Sequence, residues 1–477
     1  MRIISSVLVA AALLSATIYL AGPQAPGKAA GRRVMVLGID GGTWKVMEPM
    51  FERGELPVLH GLYKRGIHGV LRSRPPVLSP VVWTTIFTGH DKERHGVVNW
   101  KTSQSTHRRV RSLWQISSQA GLVTDVFNVP STWPPEPVSG VMLSGFPLSG
   151  SHVGGNTGHV YESRQMQGRS LPPVYRDNRT VLTSAMGELA LGAWSPWVAA
   201  RLGSHPSYRG MVRIKRLGTD AFYLSPFYRV DPGLVVSHPG DVTERIAVGL
   251  AGPYIPEGPG WSRWAEPDTP KYLYEHLVDV SRIQTDAVGM FVGGRWDLLI
   301  YVNTLVDRVS HPYWAYMRPE DYEDLPPEKA ALYSEAVRDS YRETDRQLGR
   351  LLDQVQGEFY VVLASDHGFK SNRNRNHQIG THDFDGIYLV AGPGLGKAAG
   401  SRGGEVFIES IAPTVLHLLG LPVAKDMTGK VMPDLAAALG RPVAEIDSYE
   451  SGGQDVGSTL PVDAATWEQL RGLGYVE

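Results

Sequence analysis

The chain has 477 residues, 42% of them hydrophobic and 20% charged, an ordinary globular composition with enough length for a large core. Its formal net charge of −1 argues against an electrostatic footprint for nucleic acid, so no nucleic-acid polymer is expected as a partner. It contains no cysteine, which excludes disulfides, thiolate metal ligands, a cysteine nucleophile and a lipid-modified cysteine.

No charged residue occurs between Arg2 and Lys28, and residues 3–21 are mostly apolar. As a helix this run would reach about 28 Å, close to a bilayer core. Residues 1–31 are therefore expected to be a signal peptide or membrane anchor plus linker. The protein would then be exported, periplasmic or otherwise extracytoplasmic, with association to the inner membrane through residues 3–21 as the anchored form. VMVLGID, from residue 34, reads as a buried strand ending at Asp40. LPVLHGLYKRG predicts a helix closed by Gly66, and VTDVFNV another strand. Residues 32–150 form the first part of the expected core. Residues 151–290, broken by Pro and Gly, read as an insertion or cap. The core resumes over 291–440 with WDLLIYVN as a strand. Apolar spacing through Leu332, Ala336, Tyr341, Thr344, Leu348, Leu351 and Val355 predicts one helix over 327–356, stopped by Gly357. The strands VVLASDHGF and GIYLVAG follow, then a helix around IESIAPTVLHLLG and a tail over 441–477. Buried strands alternating with amphipathic helices imply an α/β fold, with a mostly parallel central sheet whose carboxyl edge lines the ligand crevice.

Three of these strands end in residues of metal-binding type. The first ends at Asp40. WDLLIYVN runs on into NTLVDRVSH, where Asp307 and His311 stand four apart and share a face if helical. VVLASDHGF delivers Asp366 and His367 together, and His382 follows in GTHDFDGI. Singly, each reads as a cap, a solvated pair or a loop histidine. Together they occupy strand ends of one sheet. Two carboxylates ~4 Å apart repel by about 4 kcal/mol at an effective dielectric near 20, so a crevice gathering Asp40, Asp307 and Asp366 calls for a cation. Carboxylate and imidazole ligands suit Zn²⁺, and also Mn²⁺ or Fe²⁺. Six ligands exceed one tetrahedral ion, which implies two divalent metal ions and points to phosphoryl transfer. A hydroxyl nucleophile is expected in LSPVVWTTIFTGH, with Ser79 as a helix cap, Pro80 in the first turn, and Thr84 and Thr85 following near the helix start.

These stretches resemble the alkaline phosphatase superfamily, in its type I phosphodiesterase/nucleotide pyrophosphatase branch, close to predicted phosphohydrolases or phosphomutases. The matching segments include VLGIDGGTWKVMEPM, FNVPSTWPPEPVSGVMLSGF, DLLIYVNTLVDRVSHPYW, ASDHGF and THDFDGIYLVAGPG. The resemblance implies an alkaline-phosphatase-like three-layer sandwich with helices on both faces of the sheet and an inserted cap. It implies one metal held by Asp40, Thr85, Asp366 and His367, and another held by Asp307, His311 and His382. It takes Thr85 rather than Thr84 as nucleophile, counting back from Thr88-Gly89, and places Asn99 as a phosphate ligand. The expected substrate is a small-molecule phosphate ester (diester, pyrophosphate or monoester) cleaved through a phospho-threonine. Two other outcomes are a transferase moving a phosphate head group to lipid or envelope glycan, and a mutase like phosphoglycerate mutase. A formylglycine sulfatase is disfavoured because no Cys/Ser-x-Pro-x-Arg setting occurs.

Overall fold

The computed structural model describes residues 32–145, 159–162, 180–182, 189–202, 209–218, 221–225, 228–229, 236–250, 254, 270–323, 325–372 and 380–450. The apolar run at residues 3–21 and the end of the expected tail lie outside them. Among the described residues, no helix is long and apolar enough to cross a membrane.

In chain order the core opens with β1 (Val34–Ile39), α1 (Trp44–Glu52), α2 (Pro57–Arg65), β2 (Gly66–Arg72), α3 (Ser79–Thr88), α4 (Leu113–Gln119), β3 (Thr124–Val129) and β4 (Met142–Ser144). After the expected insertion come β5 (Ser237–His238), α5 (Pro270–Val292), β6 (Leu298–Asn303), α6 (Leu305–Met317), α7 (Pro327–Tyr333), α8 (Ala336–Leu352) and β7 (Tyr360–Ala364). The last elements are β8 (Gly368–Ser371), β9 (Gly380–Asp383), β10 (Asp385–Ala391), β11 (Val406–Phe407), α9 (Ile411–Leu419) and α10 (Pro433–Leu439).

Nine of these strands form one sheet in the order β5-β4-β3-β6-β1-β7-β10-β2-β11. Its centre, β4-β3-β6-β1-β7, is parallel throughout. The strand GIYLVAG, within β10, runs antiparallel to both neighbours. Successive strand residues face opposite ways, and this divides the apolar side chains into two cores. Met35, Leu37 and Ile39 pack with α1, α2, α5, α6 and α8. Val34 and Val36 pack with α3, α4, α9 and α10. Burial on both faces is why β1, β6 and β7 are apolar without alternation. The fold is thus an α/β three-layer sandwich with a mostly parallel sheet, as expected.

Two local expectations change. The helix over 327–356 is broken: α7 ends at Tyr333 and α8 starts at Ala336, after a turn at Ser334 and Glu335. The break rotates the apolar face, so Leu332 is 64% exposed while Val337, Tyr341 and Leu348 are buried. Gly66 does cap α2, but the chain passes directly into β2, a strand the sequence reading did not separate from the loop after it. Within residues 151–290, the described strands other than β5 form two small antiparallel sheets, whereas β5 joins the main sheet and α5 adds Leu277, Ala287, Val288 and Phe291 to the main core.

Candidate metal centre

β6, β1 and β7 are adjacent and parallel, and their registers finish with Ile39 beside Asn303 and Gly38 beside Ala364. Asp40, Thr304 and Ser365 therefore leave the sheet side by side. After Asp40 the chain turns at Gly41 with φ +74, where an added Cβ would lie 2.6 Å from the Phe369 ring and 3.1 Å from the Asp307 Cα. Glycine suits that turn on both counts. The Gly42 N–H donates to Ser365 Oγ (2.8 Å), and that hydroxyl donates to the His367 carbonyl (2.7 Å), lacing two strand ends together. The Asn303 side chain accepts the Leu305 N–H (3.0 Å) and starts α6, whose first turns carry Asp307 and His311 on one face. The hairpin β8–β9 sets His382 opposite Phe369.

These elements bring six expected ligands together. His367 Nε2 lies 3.4 Å from Asp40 Oδ1, 3.5 Å from Asp366 Oδ2 and 3.7 Å from Asp307 Oδ1. Asp307 Oδ1 lies 3.3 Å from His311 Nε2 and 3.4 Å from His382 Nε2. The last two nitrogens are 3.0 Å apart. Ligand atoms of Asp40, Asp366 and His367 fall within 4.8 Å of one another, as do those of Asp307, His367 and His382.

The donor set fits a pair of cations. Asp40 Oδ1, Asp307 Oδ1, Asp366 Oδ2 and His367 Nε2 are buried without a hydrogen-bond partner, and all four converge on the cluster. The other side of five of these six ligands is occupied. Trp83 Nε1–H donates to Asp40 Oδ2 (3.1 Å), and the Gly41 N–H to Asp366 Oδ1 (3.4 Å). Each histidine pairs its Nδ1 with a backbone carbonyl: His382 with Val77 (2.8 Å), His367 with Gly368 (3.0 Å) and His311 with Gly380 (3.3 Å). A carbonyl only accepts, so Nδ1 carries the proton and the Nε2 lone pairs face inward, available to a cation. Without a cation the cluster titrates unevenly. Burial, then the charge of Asp40, holds Asp366 well above the usual carboxylate range. Asp307 is also pushed up by burial, but His311 and His382 pull it well below that range. One acid staying protonated to relieve its neighbours is the conflict a divalent ion removes.

The Thr85 hydroxyl makes its hydrogen bonds with other groups. Thr85 Oγ1 lies 3.1 Å from the Val81 carbonyl and 2.9 Å from His95 Nε2. His95 Nδ1 accepts the Val97 N–H (3.1 Å), so Nε2 carries the proton and donates to the threonine. The hydroxyl is thus the acceptor from His95 and the donor to Val81, and this imidazole has no lone pair with which to activate it. Nor is Thr85 near the helix start, because α3 begins at Ser79. Leu78, not Ser79, occupies the N-cap position, and no side chain caps that end. Asn99 is exposed, and its side-chain oxygen accepts the Thr102 N–H (3.2 Å), which fixes the amide's orientation in a short turn.

The structure brings forward three features that the sequence reading had not given a role at the metals. Ser79 stands at the first position of α3, two residues after the carbonyl that orients His382 and four before the indole bonded to Asp40. That spacing places Ser79 and Trp83 on one helical face. The signal was present in Ser79-Pro80, since proline in the first turn marks a helix start and so leaves Thr84 and Thr85 in its interior.

The family model described as type I phosphodiesterase / nucleotide pyrophosphatase matches residues 34–392. The chain belongs to this family. Within the family segment lie all six clustered ligands and Ser79. The mouse GPI ethanolamine phosphate transferase 3, catalytic subunit, is 26% identical over 144 residues, covering 30% of this chain and 12% of that protein. The 2,3-bisphosphoglycerate-independent phosphoglycerate mutase of Wolinella succinogenes is 32% identical over 98 residues, covering 20% of this chain and 19% of that one. The chain thus matches less than a fifth of either relative's length. Among solved structures, the phosphonate monoester hydrolase SpPMH from Silicibacter pomeroyi aligns over 87% of this chain and 78% of its own, at 12% identity and TM-score 0.42. A putative sulfatase, yidJ, from Bacteroides fragilis aligns over 88% and 81%, at 12% identity and TM-score 0.40.

Proposed function

We propose that this chain is an exported two-metal hydrolase of small phosphate esters whose nucleophile is the Ser79 hydroxyl. The observation carrying this reading is the cluster of four orphaned, buried ligand atoms, with Ser79 held between two residues bonded to it. Asp40, Asp366 and His367 would hold one ion, and Asp307, His311 and His382 the other. When bound, two divalent ions, Zn²⁺ foremost with Mn²⁺ or Fe²⁺ as the other candidates, supply Lewis acidity that polarises a phosphoryl group and acidifies a hydroxyl.

The chain's own groups do the rest. Helix α3 aims its N-terminal end, and with it the Ser79 oxygen, at an incoming phosphoryl group. Ser79 Oγ forms a bond to phosphorus as the bond to the leaving oxygen breaks. Water then hydrolyses the phosphoserine, returning the serine and releasing the phosphoryl product. Asn99, its amide fixed by Thr102, is assigned to a phosphoryl oxygen. A phospho-threonine at Thr85 is displaced from this scheme because both hydrogen-bonding directions of that hydroxyl are in use. Export rests on the apolar run at residues 3–21.

The test is turnover of nitrophenyl phosphate mono- and diesters by zinc-loaded protein, with Ser79→Ala and Thr85→Val alongside. Loss in the first and retention in the second is expected. Full activity of Ser79→Ala would overturn the assignment. One observation favours a second reading. The mouse relative is named as an ethanolamine phosphate transferase, and the same phosphoserine would serve a transferase if an alcohol acceptor replaced water. Release of the phosphoryl product with no acceptor present decides for hydrolysis.

A further inference from the structure

Asp40 uses one carboxylate oxygen, Oδ2, on the Trp83 indole N–H (3.1 Å), and leaves the other, Oδ1, buried and unpartnered toward His367. Trp83 is itself fully buried in α3, four residues beyond Ser79, and its ring is roughly parallel to Phe87 at 5.7 Å. A second observation shows that the strand makes room for it. A Cβ added at Gly38, two residues before Asp40, would lie 2.6 Å from the indole Cη2 and 3.1 Å from Cζ3. Glycine at 38 is what lets the ring lie across β1 and deliver its N–H to the outer oxygen of Asp40. The ring therefore touches β1, the Asp40 carboxylate and the helix that begins at Ser79.

We infer that Trp83 is a positioning residue. Its indole N–H selects which oxygen of Asp40 faces the metal and sets the distance between that ligand and the helix bearing Ser79. The inference rests on the function proposed above, and extends it to a residue that touches neither substrate nor metal. A hydrogen bond to the outer oxygen restrains carboxylate rotation and holds Oδ1 in the ligand position before an ion arrives. It acts on one site only, since Asp307, His311 and His382 lie against one another, and His311 and His382 are oriented by the Gly380 and Val77 carbonyls. Val77, on the other side of Ser79, orients His382 through its carbonyl. The serine is thus flanked by one contact to each half of the cluster, and Trp83 is the one made by a side chain and open to substitution.

The experiment is zinc binding by equilibrium dialysis to metal-stripped wild type and Trp83→Phe, together with thermal unfolding of both metal-free proteins and kcat and KM of the loaded ones. The expected result is two sites in each protein, with one of them about 10- to 100-fold weaker in the variant and the other unchanged. Excess zinc should recover part of kcat. Equal affinities at both sites, with only the unfolding temperature lowered, would make Trp83 a packing residue and overturn the inference. Should Trp83→Phe fail to fold, replacing Trp83 with benzothienylalanine keeps the ring's size and stacking and removes only the donor. Unweakened zinc binding by that protein overturns the inference equally. A wild type that binds no metal would instead sink the proposed function, so the two failures are distinguishable.

Discussion

Two faces of one helix carry hydroxyls that look alike in sequence and differ entirely in what surrounds them. On α3, Ser79 lies four residues before Trp83 and so on the same face, from which the Trp83 indole reaches Asp40. Thr85 lies six residues on from Ser79, about 120° round at about 100° per residue, and faces Val81 and His95. The hydroxyl–imidazole pair has the look of an activated nucleophile, yet its proton arrangement is reversed, with the histidine donating. The chemically richer face is the one with no such pair, where buried ligand atoms lack partners. In this molecule unsatisfied polarity is a better guide to the site than a satisfied hydrogen bond.

The sharpest way to break this comparison is to remove each hydroxyl. Ser79→Ala is expected to lower kcat for a nitrophenyl diester by roughly 10³-fold or more, the scale of losing a nucleophile while binding survives. Thr85→Val should keep kcat within about tenfold. Its cost should fall on stability instead, on the order of 1–3 kcal/mol, because the buried His95 N–H loses its acceptor. Burial, and then the nearby Arg108, pull the His95 pKa down to about 3, so the ring stays neutral in the fold. Urea unfolding checks the second number. If Thr85→Val abolished turnover with unaltered stability, the two faces would have been assigned the wrong way round.

A second contrast lies within the cluster. Asp40, Asp366 and His367 are 1% exposed or less, whereas the side chains of Asp307, His311 and His382 are 16–21% exposed. The deeper half should release its ion more slowly to a chelator. Metal binding should stabilise the fold by about 2.7 kcal/mol per site at 100-fold excess over Kd. The pH dependence follows from Asp366. Its folded pKa is raised well above the ordinary value by burial and by Asp40. In the metal-free protein the folded state therefore holds a proton that the unfolded chain has lost, and stability falls as pH rises above the ordinary carboxylate range. Asp307 has the opposite sign: its folded pKa is depressed, and its contribution is lost as pH falls below that range. Zinc displaces the Asp366 proton, so added zinc should raise the unfolding temperature more at pH 8 than at pH 6. An equal rise at both would show that Asp366 ionises without the ion.

Five of the six ligands were legible because they followed unbroken apolar strands, and parallel strands deliver their carboxyl ends to one edge by geometry alone; His382 instead sits on the β8–β9 hairpin, ahead of β10. The sandwich was legible for the same reason. What was not legible depended on angle and on tertiary contact. No pattern in residues 327–356 marked the turn at Ser334, since Leu332 continues the apolar spacing, whereas in the fold Tyr333 packs against Tyr313 and Tyr316. Thr85 was singled out by counting back from Thr88-Gly89, a step that carries no information on the helical angle separating it from Ser79. Trp83 looked like any core tryptophan, as its role comes from one hydrogen bond to a carboxylate 43 positions away. Gly41 carried no signal of its own in the sequence. Its contact with Phe369 and Asp307 needed coordinates, and Gly41→Ala is expected to cost about 1–3 kcal/mol by strain at positive φ.

The smallest expected effect tests whether nearness to a ligand in sequence matters at all. Asp383 follows His382 on β9, so their side chains project to opposite faces of the hairpin. His382 faces the cluster, while Asp383 pairs with Lys45 at 2.6 Å and Lys370 at 3.6 Å. Burial alone would raise the Asp383 pKa, but the hydrogen bond from Lys45 brings it below the ordinary value. A depressed carboxylate contributes above its unfolded pKa, and that contribution is lost as pH falls through the folded one. The Lys45 side chain is 55% exposed, so screening leaves the pair worth only about 0.2–1 kcal/mol. Lys45→Ala should therefore lower the unfolding temperature slightly at neutral pH and not at all in acid, while zinc affinity and KM stay as in the wild type. If zinc affinity fell instead, the outer face of β9 would be transmitting to His382, and the alternation that separates ligand from rim would not insulate one from the other.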